Sequence, residues 1–434
     1  MKKLFLSMLL LCAGAITTQA QWIRVWQGGE STRYAIADTP IVPYSAAGST
    51  ITVGSDAYAT AAIDSITVVY PVTITWSGTT VDVDIPENVE GVTATVSGGN
   101  VVITNTNTTS EQEFILRGSS SAGSLTYNGT YKCKFHLDDV NLTSTAGAAL
   151  DIQCGKRIDL ILKDGTTNSL TDAAGGTHKA ALNCQGHLEV SGGGSLTIAG
   201  KTNHALRAKE YLLLKKSVGS IIITSAAADG IHCGEYFQMN GGNITISGTA
   251  ADGLQVETDA TSTEDLNGQF IMNGGSIDLT LASADSKGIR LDADAADASI
   301  VPHMQLLDGT VTVNLASTAL GSKAIASDGN LTIGSKATSP SVGITVAAGV
   351  YVDSSTGEEN RATGLKADLT LTIAGGATTV SATGAKSRGV RATTLTATGG
   401  SLTVTNTGSK SQGIKLDNVF RPGEGGTVSG NFKY

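Results

Sequence analysis

The phrase Ala228-Asp229-Gly230-Ile231-His232-Cys233 returns as Ala251-Asp252-Gly253-Leu254-Gln255-Val256, 23 residues later. A unit that repeats before it can bury a core of its own must stack on its neighbours, which restricts the fold to a solenoid or a similar array. The first line of the repeat is a small residue, an aliphatic one, a variable one and usually an apolar one. It occurs at Ala149-Leu150-Asp151-Ile152, Ala181-Leu182-Asn183-Cys184, Ala205-Leu206-Arg207-Ala208, Gly230-Ile231-His232-Cys233 and Gly253-Leu254-Gln255-Val256. It continues at Gly288-Ile289-Arg290-Leu291, Ala324-Ile325-Ala326-Ser327, Gly364-Leu365-Lys366-Ala367, Gly389-Val390-Arg391-Ala392 and Gly413-Ile414-Lys415-Leu416, with spacings of 32, 24, 25, 23, 35, 36, 40, 25 and 24 residues.

A second line opens on Gly and alternates, as in Gly194-Ser195-Leu196-Thr197-Ile198 and Gly275-Ser276-Ile277-Asp278-Leu279. A third short run lies between, such as His187-Leu188-Glu189-Val190. Three short strands per unit with Gly at the corners predict an all-β chain: a single-stranded parallel β-helix of about ten coils. A β-propeller needs four strands per blade and about twice this period, and a sandwich does not repeat one phrase ten times. The 53 Gly, few aromatics and many Thr, Ser, Val and Ile agree with strands around a thin aliphatic core.

Residues 1–20 carry a basic start (Lys2, Lys3), an apolar run from Leu4 to Ile16 and a small-residue exit at Thr18-Gln19-Ala20, the pattern of a secretory signal peptide. The chain is therefore expected to be exported, to be secreted or held at the cell surface, and to insert no segment into a membrane. Residues 21–70 read as a small N-terminal β module, 71–118 as a β cap over the first coil, and 119–434 as the β-helix. Without Lys2 and Lys3 the balance is 27 basic to 38 acidic residues, which disfavours non-specific nucleic-acid binding. Cys184 and Cys233 fall at an inward apolar position of the repeat, so the Cys residues after the leader read as core rather than as disulfides or a metal site.

Strand alternation sends the variable residue of the first line outward: Asp151, Asn183, Arg207, His232, Gln255, Arg290, Ala326, Lys366, Arg391 and Lys415. Five of these ten are Arg or Lys in a net acidic chain, and His204, Lys287, Lys323 and Arg388 flank them. At a stacking distance of about 4.8 Å they form a cationic stripe along the axis. Arg207, His232, Lys287, Arg290, Lys366, Arg388, Arg391 and Lys415 are the candidate contacts for a regularly spaced polyanion with carboxylates. The plainer alternative is that long basic side chains keep an outer sheet soluble. Asp229, Asp252, Glu257, Asp259, Asp292 and Asp294 crowd the neighbouring edge and insertions, and such hard oxygen ligands suit Ca2+; solvated loops or turn-capping Asp side chains are the alternative. There is no GxSxG, HExxH or phosphate-loop motif. A lyase using an outer-face Arg as base would find its best place at Arg290 beside Asp292. Aromatic residues are few along the array, which disfavours stacking on neutral glycans.

The Asp-Gly-Ile-His and Asp-Gly-Leu phrases, with Gly241-Gly242-Asn243-Ile244-Thr245-Ile246 between them, resemble the secreted carbohydrate-binding-domain family with a pectate-lyase-like β-helix. Leu125-Thr126-Tyr127-Asn128-Gly129-Thr130-Tyr131 to Val140-Asn141-Leu142-Thr143-Ser144 resembles that family's opening coil. The resemblance spans roughly residues 100–420. It implies a right-handed parallel β-helix that binds Ca2+ and acidic plant-type polysaccharide, with no established hydrolase activity. From Gly288 onward the Asp of the Asp-Gly phrase is replaced by Lys287, Lys323, Thr363, Arg388 and Gln412, so a metal role carried over for that slot rests on Asp229 and Asp252. The expected function is non-catalytic, Ca2+-assisted binding of a pectin- or polygalacturonate-like polysaccharide by a monomer. A polysaccharide lyase or glycosidase and a structural cell-surface adhesin are the alternatives.

Overall fold

The computed structural model describes residues 22–28, 30–35, 42–45, 47–294, 296–418, 420–423 and 425–433. The stretch read as a signal peptide lies outside them. The chain divides into two compact units, one of residues up to Thr73 with Asp84–Val89, the other of Ile74–Val83 with Glu90 onward. Among the described residues the only helix is a short 3-10 turn at Thr60–Ala62, and no helix is long and apolar enough to cross a membrane.

In the first unit, Trp22–Gln27 pairs antiparallel with Glu30–Ala35 on one side and Ser65–Val69 on the other. A second small meander joins Tyr44–Ser45, Thr50–Val53 and Asp56–Ala59. Ile23, Val25, Val53 and Tyr58 form its core. The stretch read as a small β module, residues 21–70, thus holds two three-stranded sheets, with a core of four buried side chains among the described residues.

The second unit is all-β, with one large sheet of mostly parallel strands that closes on itself. Each strand of the repeat pairs in parallel with the equivalent strand one turn later. The first ladder starts at Gly99–Asn105 and Gly123–Gly129 and runs through Leu150–Gln153, Ala180–Cys184, His204–Ala208, Ile231–Gly234 and Leu254–Glu257. It continues through Lys287–Asp292 and Lys323–Ser327 into the first halves of Thr363–Ile373 and Arg388–Ala397, then Gln412–Leu416 and Phe432–Lys433. These twelve pairings join thirteen strands, against ten phrases in the sequence. The extra three hide for a local reason: Asn100 stands where others have a small residue, Tyr127 is far bulkier than the usual inward Ile or Cys, and the last strand is only two residues long. Val92–Ser97 pairs antiparallel with Gly99–Asn105 at the start of the ladder. The buried Trp76 indole donates to the Gly99 carbonyl there, at 2.8 Å.

Alternation places the predicted residues inside. Leu182, Cys184, Ile231, Cys233, Leu254, Val256, Ile289 and Leu291 are all fully buried. In the short run between the two lines Phe237 stacks on Phe270 with ring centroids 4.7 Å apart. Each buried Leu or Ile contributes roughly 1.5–3 kcal/mol of transfer free energy, and no strand could bury its face without the turn above it. Cys133, Cys154, Cys184 and Cys233 are free and buried, as read from the repeat, and burial pushes the Cys184 thiol up to about 12.

Corners fix the register. Gly242, Gly275 and Gly309 stack as equivalent corners with φ of +82°, +87° and +91°. A Cβ at Gly275 would lie 2.4 Å from the Gly242 carbonyl oxygen, which leaves no room for any side chain. Gly165 shares a left-handed φ of +77° but has open space around it. Left-handed backbone at a non-Gly residue costs about 1–3 kcal/mol. Gly165→Ala is therefore expected to show that cost alone. Gly275→Ala, which adds the overlap between turns, should unfold at a clearly lower temperature than Gly165→Ala in parallel thermal melts; equal midpoints would refute the close-approach argument.

Candidate functional site

The outward side chains of the first ladder form a straight row because the pairing holds one register for eight turns. Arg207 pairs with His232, His232 with Gln255, Gln255 with Arg290 and Arg290 with Ala326. Ala326 then pairs with Lys366, Lys366 with Arg391, Arg391 with Lys415 and Lys415 with Lys433. A second row three residues earlier aligns Lys287, Lys323, Thr363, Arg388 and Gln412.

Beside the cations runs a row of carboxylates, of which the sequence reading singles out only Glu257 and Asp292. Glu257, Asp292, Asp328, Asp368 and Asp417 each stand two residues after the outward position of their own strand. Lys366 reaches Asp368 at 2.8 Å and Asp328 at 3.8 Å. Arg391 and Lys415 both lie 3.5 Å from Asp417. The signal was present as the spacing Arg290-x-Asp292, Lys366-x-Asp368 and Lys415-x-Asp417. Arg207 instead donates to the Asn183 amide oxygen at 3.3 Å, and burial lowers its pKa. Burial, reinforced by Arg391 and Arg361, pushes Arg388 down to about 10. The Lys287 ammonium donates to the Asp285 carbonyl.

Arg290 sits at the centre of the face. It donates to Asp252 Oδ2 at 3.0 Å through Nη1 and to Asp292 through Nε. Burial pulls Arg290 down, but Asp292 and Asp252 outweigh it and the guanidinium pKa ends above its ordinary value. Burial also raises both carboxyls, Asp292 to about 6, in spite of Arg290. Both partners therefore hold protons more firmly than they do in water, the guanidinium through its carboxylates and the carboxyls through burial. A guanidinium held this way is a poor base.

Of the predicted metal ligands, Asp229 and Asp252 stand three residues before the outward row, and Glu257 and Asp292 two residues after it. Their oxygens already have donors. Asp229 Oδ1 accepts the Asp252 N–H at 2.9 Å, and Asp252 Oδ1 accepts the Lys287 N–H at 2.7 Å. Asp292 Oδ2 and Glu257 Oε1 both accept from the Gln255 amide. Asp259 and Asp294 hold their own loops: Asp259 accepts the Thr261 N–H and hydroxyl, and Asp294 accepts the N–H groups of Ala260 and Ala296. Ca2+ takes about six to eight oxygens, and the oxygens of Asp229, Asp252 and Asp292 that accept these hydrogen bonds would share them with any such ion.

The other oxygen of Asp229 faces nitrogen. Asp229 Oδ2 lies 3.1 Å from Nδ1 of His232 and 3.1 Å from Nδ1 of His204, and the two rings stack at 4.4 Å. Nε2 of His232 is 3.6 Å from Glu257. His204, one turn before His232, completes a cluster that was not assembled from sequence, although 28 residues is close to one turn of the repeat plus the strand offset. Burial alone would raise the Asp229 carboxyl, but His204 and His232 outweigh it and hold the group below the usual carboxylate range. Burial lowers His232, and Asp229 with Glu257 more than reverses this, to about 9.

A folded-state pKa near 9 against 6.5 makes a contribution to stability that is present in full below 6.5 and lost as pH rises through about 9. At about 1.4 kcal/mol per pKa unit it amounts to a few kcal/mol at most. Asp229→Asn should lower the His232 titration in an NMR pH series, with Glu257 still holding part of the rise, and lessen the loss of stability over that window. An unchanged His232 pKa would show that Asp229 is not its main partner.

The family of carbohydrate-binding domain-containing proteins matches residues 97–413, about three quarters of the chain. Among solved structures, the chain is similar to the polysaccharide lyase-like protein from C. thermocellum (gadolinium derivative). That likeness has 22% identity and a TM-score of 0.48, over 62% of this chain and 99% of the other. No curated protein matches. On the extent of the family match, which takes in the first ladder from its start to Gly413, the chain belongs to the carbohydrate-binding domain-containing protein family.

Proposed function

We propose that this is an exported, non-catalytic, monomeric protein that lays an acidic, pectin- or polygalacturonate-like polysaccharide along the outer face of the first ladder. The observation that carries the reading is the register-aligned row Arg290, Lys366, Arg391 and Lys415, with Lys433 beyond it. A polymer with a carboxylate on each sugar meets such a row through charge-assisted hydrogen bonds. The adjoining carboxylates supply acceptors for sugar hydroxyls. In this reading the ladders are the walls of a right-handed β-helix, which the return of each strand to its partner one turn later supports. Ca2+ assistance in this reading comes at the outer-face carboxylates such as Asp368 and Asp417, where an ion shared with uronate groups of the bound polymer would replace their present Lys and Arg partners. The upward shift of Arg290 favours binding over elimination chemistry, because a lyase base has to release its proton.

Lys366, Arg391 and Lys415 can be removed without leaving a buried charge alone, since their partners are solvent-exposed. The triple Ala variant should bind polygalacturonate at least tenfold more weakly, at about 1.4 kcal/mol per decade, with the wild-type affinity falling as salt is added. Undiminished binding by the variant would sink the row as the contact surface. In the same titration EDTA should weaken wild-type binding and added Ca2+ restore it, and no unsaturated or reducing ends should accumulate. Release of such ends would make the protein an enzyme instead.

A further inference from the structure

His204, Asp229 and His232 bring two ring nitrogens and a carboxylate oxygen to within 4.8 Å of one another. We propose that these three side chains form a site for a divalent first-row transition-metal ion of the Zn2+ and Cu2+ class, distinct from any Ca2+ bound with polysaccharide. Two imidazoles and one carboxylate are the donor set that such ions prefer, whereas Ca2+ and Mg2+ take oxygen.

Four features prepare the site. The Asp229 carboxylate is oriented by its own neighbour: Oδ1 accepts the Asp252 N–H at 2.9 Å, which leaves Oδ2 aimed at both rings. The separations of 3.1 Å from that oxygen to each Nδ1 are close to the edge of a tetrahedron. With metal–ligand bonds of about 2.0–2.2 Å that edge is about 3.3 Å, so an ion enters with small side-chain rotations. The far nitrogen of His232 faces Glu257 at 3.6 Å, the outer carboxylate that fixes the ring orientation of a metal-bound imidazole. Finally, Nδ1 of His204 is in conflict without an ion. It lies 3.3 Å from the Asp229 N–H and 3.1 Å from the Asp229 carboxylate. A proton on that nitrogen opposes the N–H, and a lone pair there opposes the carboxylate; a cation between nitrogen and oxygen relieves the second opposition, with the single lone pair turned from the N–H to the ion.

The site is also confined and accessible. The two His side chains keep 14% and 15% of their surface exposed, enough for a water or a partner group to complete the coordination. One turn later the equivalent carboxylate, Asp252, meets the Arg290 guanidinium rather than a second imidazole. A guanidinium does not ligate, so the arrangement is not repeated there.

The test uses the exported chain without a histidine tag, stripped with chelator and free of polysaccharide, so its outcome does not depend on glycan binding. Titration with Zn2+ should show one tight site per chain. His204→Ala and His232→Ala should each weaken it at least tenfold, the size of loss that even outer-shell changes cause. His178→Ala, which alters a separate His–Asp pair, should leave it intact. Cu2+ added to the wild-type chain should give an electron paramagnetic resonance spectrum with two imidazole nitrogens, and this arm needs no variant to fold. Equal Zn2+ affinity in the His204→Ala and wild-type chains, a Cu2+ spectrum without nitrogen ligation, or displacement of Zn2+ by equimolar Ca2+ would each overturn the proposal.

Discussion

Parallel hydrogen bonding from each turn to the next holds the register from Gly99 to Lys433, and the rest of the molecule depends on it. A strand spacing of about 4.8 Å forces each residue onto its counterpart in the turn before. Inside, that repetition is favourable, because columns such as Ile231, Leu254 and Ile289 bury one another and Phe237 lies flat on Phe270. Outside, it is costly for charge. Like charges about 4 Å apart repel by about 1 kcal/mol in water and by several kcal/mol where the surface lowers the dielectric.

The chain offsets this repulsion locally. Each major cation of the row has a carboxylate two residues on in the same strand or one turn away: Arg290 with Asp292, Lys366 with Asp368 and Asp328, Lys415 with Asp417. The face is therefore a grid of alternating sign rather than a cationic stripe. A polyanion has to compete with the resident carboxylates, which reduces raw affinity and favours a ligand whose charges match the axial spacing. At Arg290 the balance is struck below the surface, where Asp252 and Asp292 are buried and leave the guanidinium the charge that holds both. Removal of Arg290 would strand two buried carboxylates, so that residue serves the fold as well as the face.

The strand pattern was legible because side-chain period and burial are local properties. Gly230-Ile231-His232-Cys233 declares which residues point inward, and all its later copies behave alike. Contacts between turns were harder to read because they depend on how insertions leave the wall. Asp252 meets Arg290 although 38 residues separate them, and Asp229 meets His204 across 25. The first distance is a 35-residue spacing plus an offset of three, whereas the second is one 25-residue spacing, because His204 and Asp229 share the slot before the small residue of the phrase. The scarcity of aromatics was read as a lack of stacking platforms. The structure does place His187, Tyr211 and Tyr236 in one stack, but the inner faces of these rings cover one another and both Tyr rings are largely buried.

The Asp-Gly phrase shows how one side chain carries both a structural and a chemical part. In both of these turns Oδ1 accepts the backbone N–H of the equivalent residue one turn on: Asp229 Oδ1 accepts the Asp252 N–H, and Asp252 Oδ1 accepts the Lys287 N–H. That bond ties the edges of neighbouring turns and needs only a carboxylate of the right length. The second oxygen is then free to vary in partner, and it does: two imidazoles for Asp229, a guanidinium for Asp252. Where the slot becomes Lys287 the tie is made by backbone alone, from the Lys323 N–H to the Ser286 carbonyl. The phrase is thus conserved along two turns by a backbone requirement, while the chemistry at each turn is set by what the neighbouring turn presents to the second oxygen.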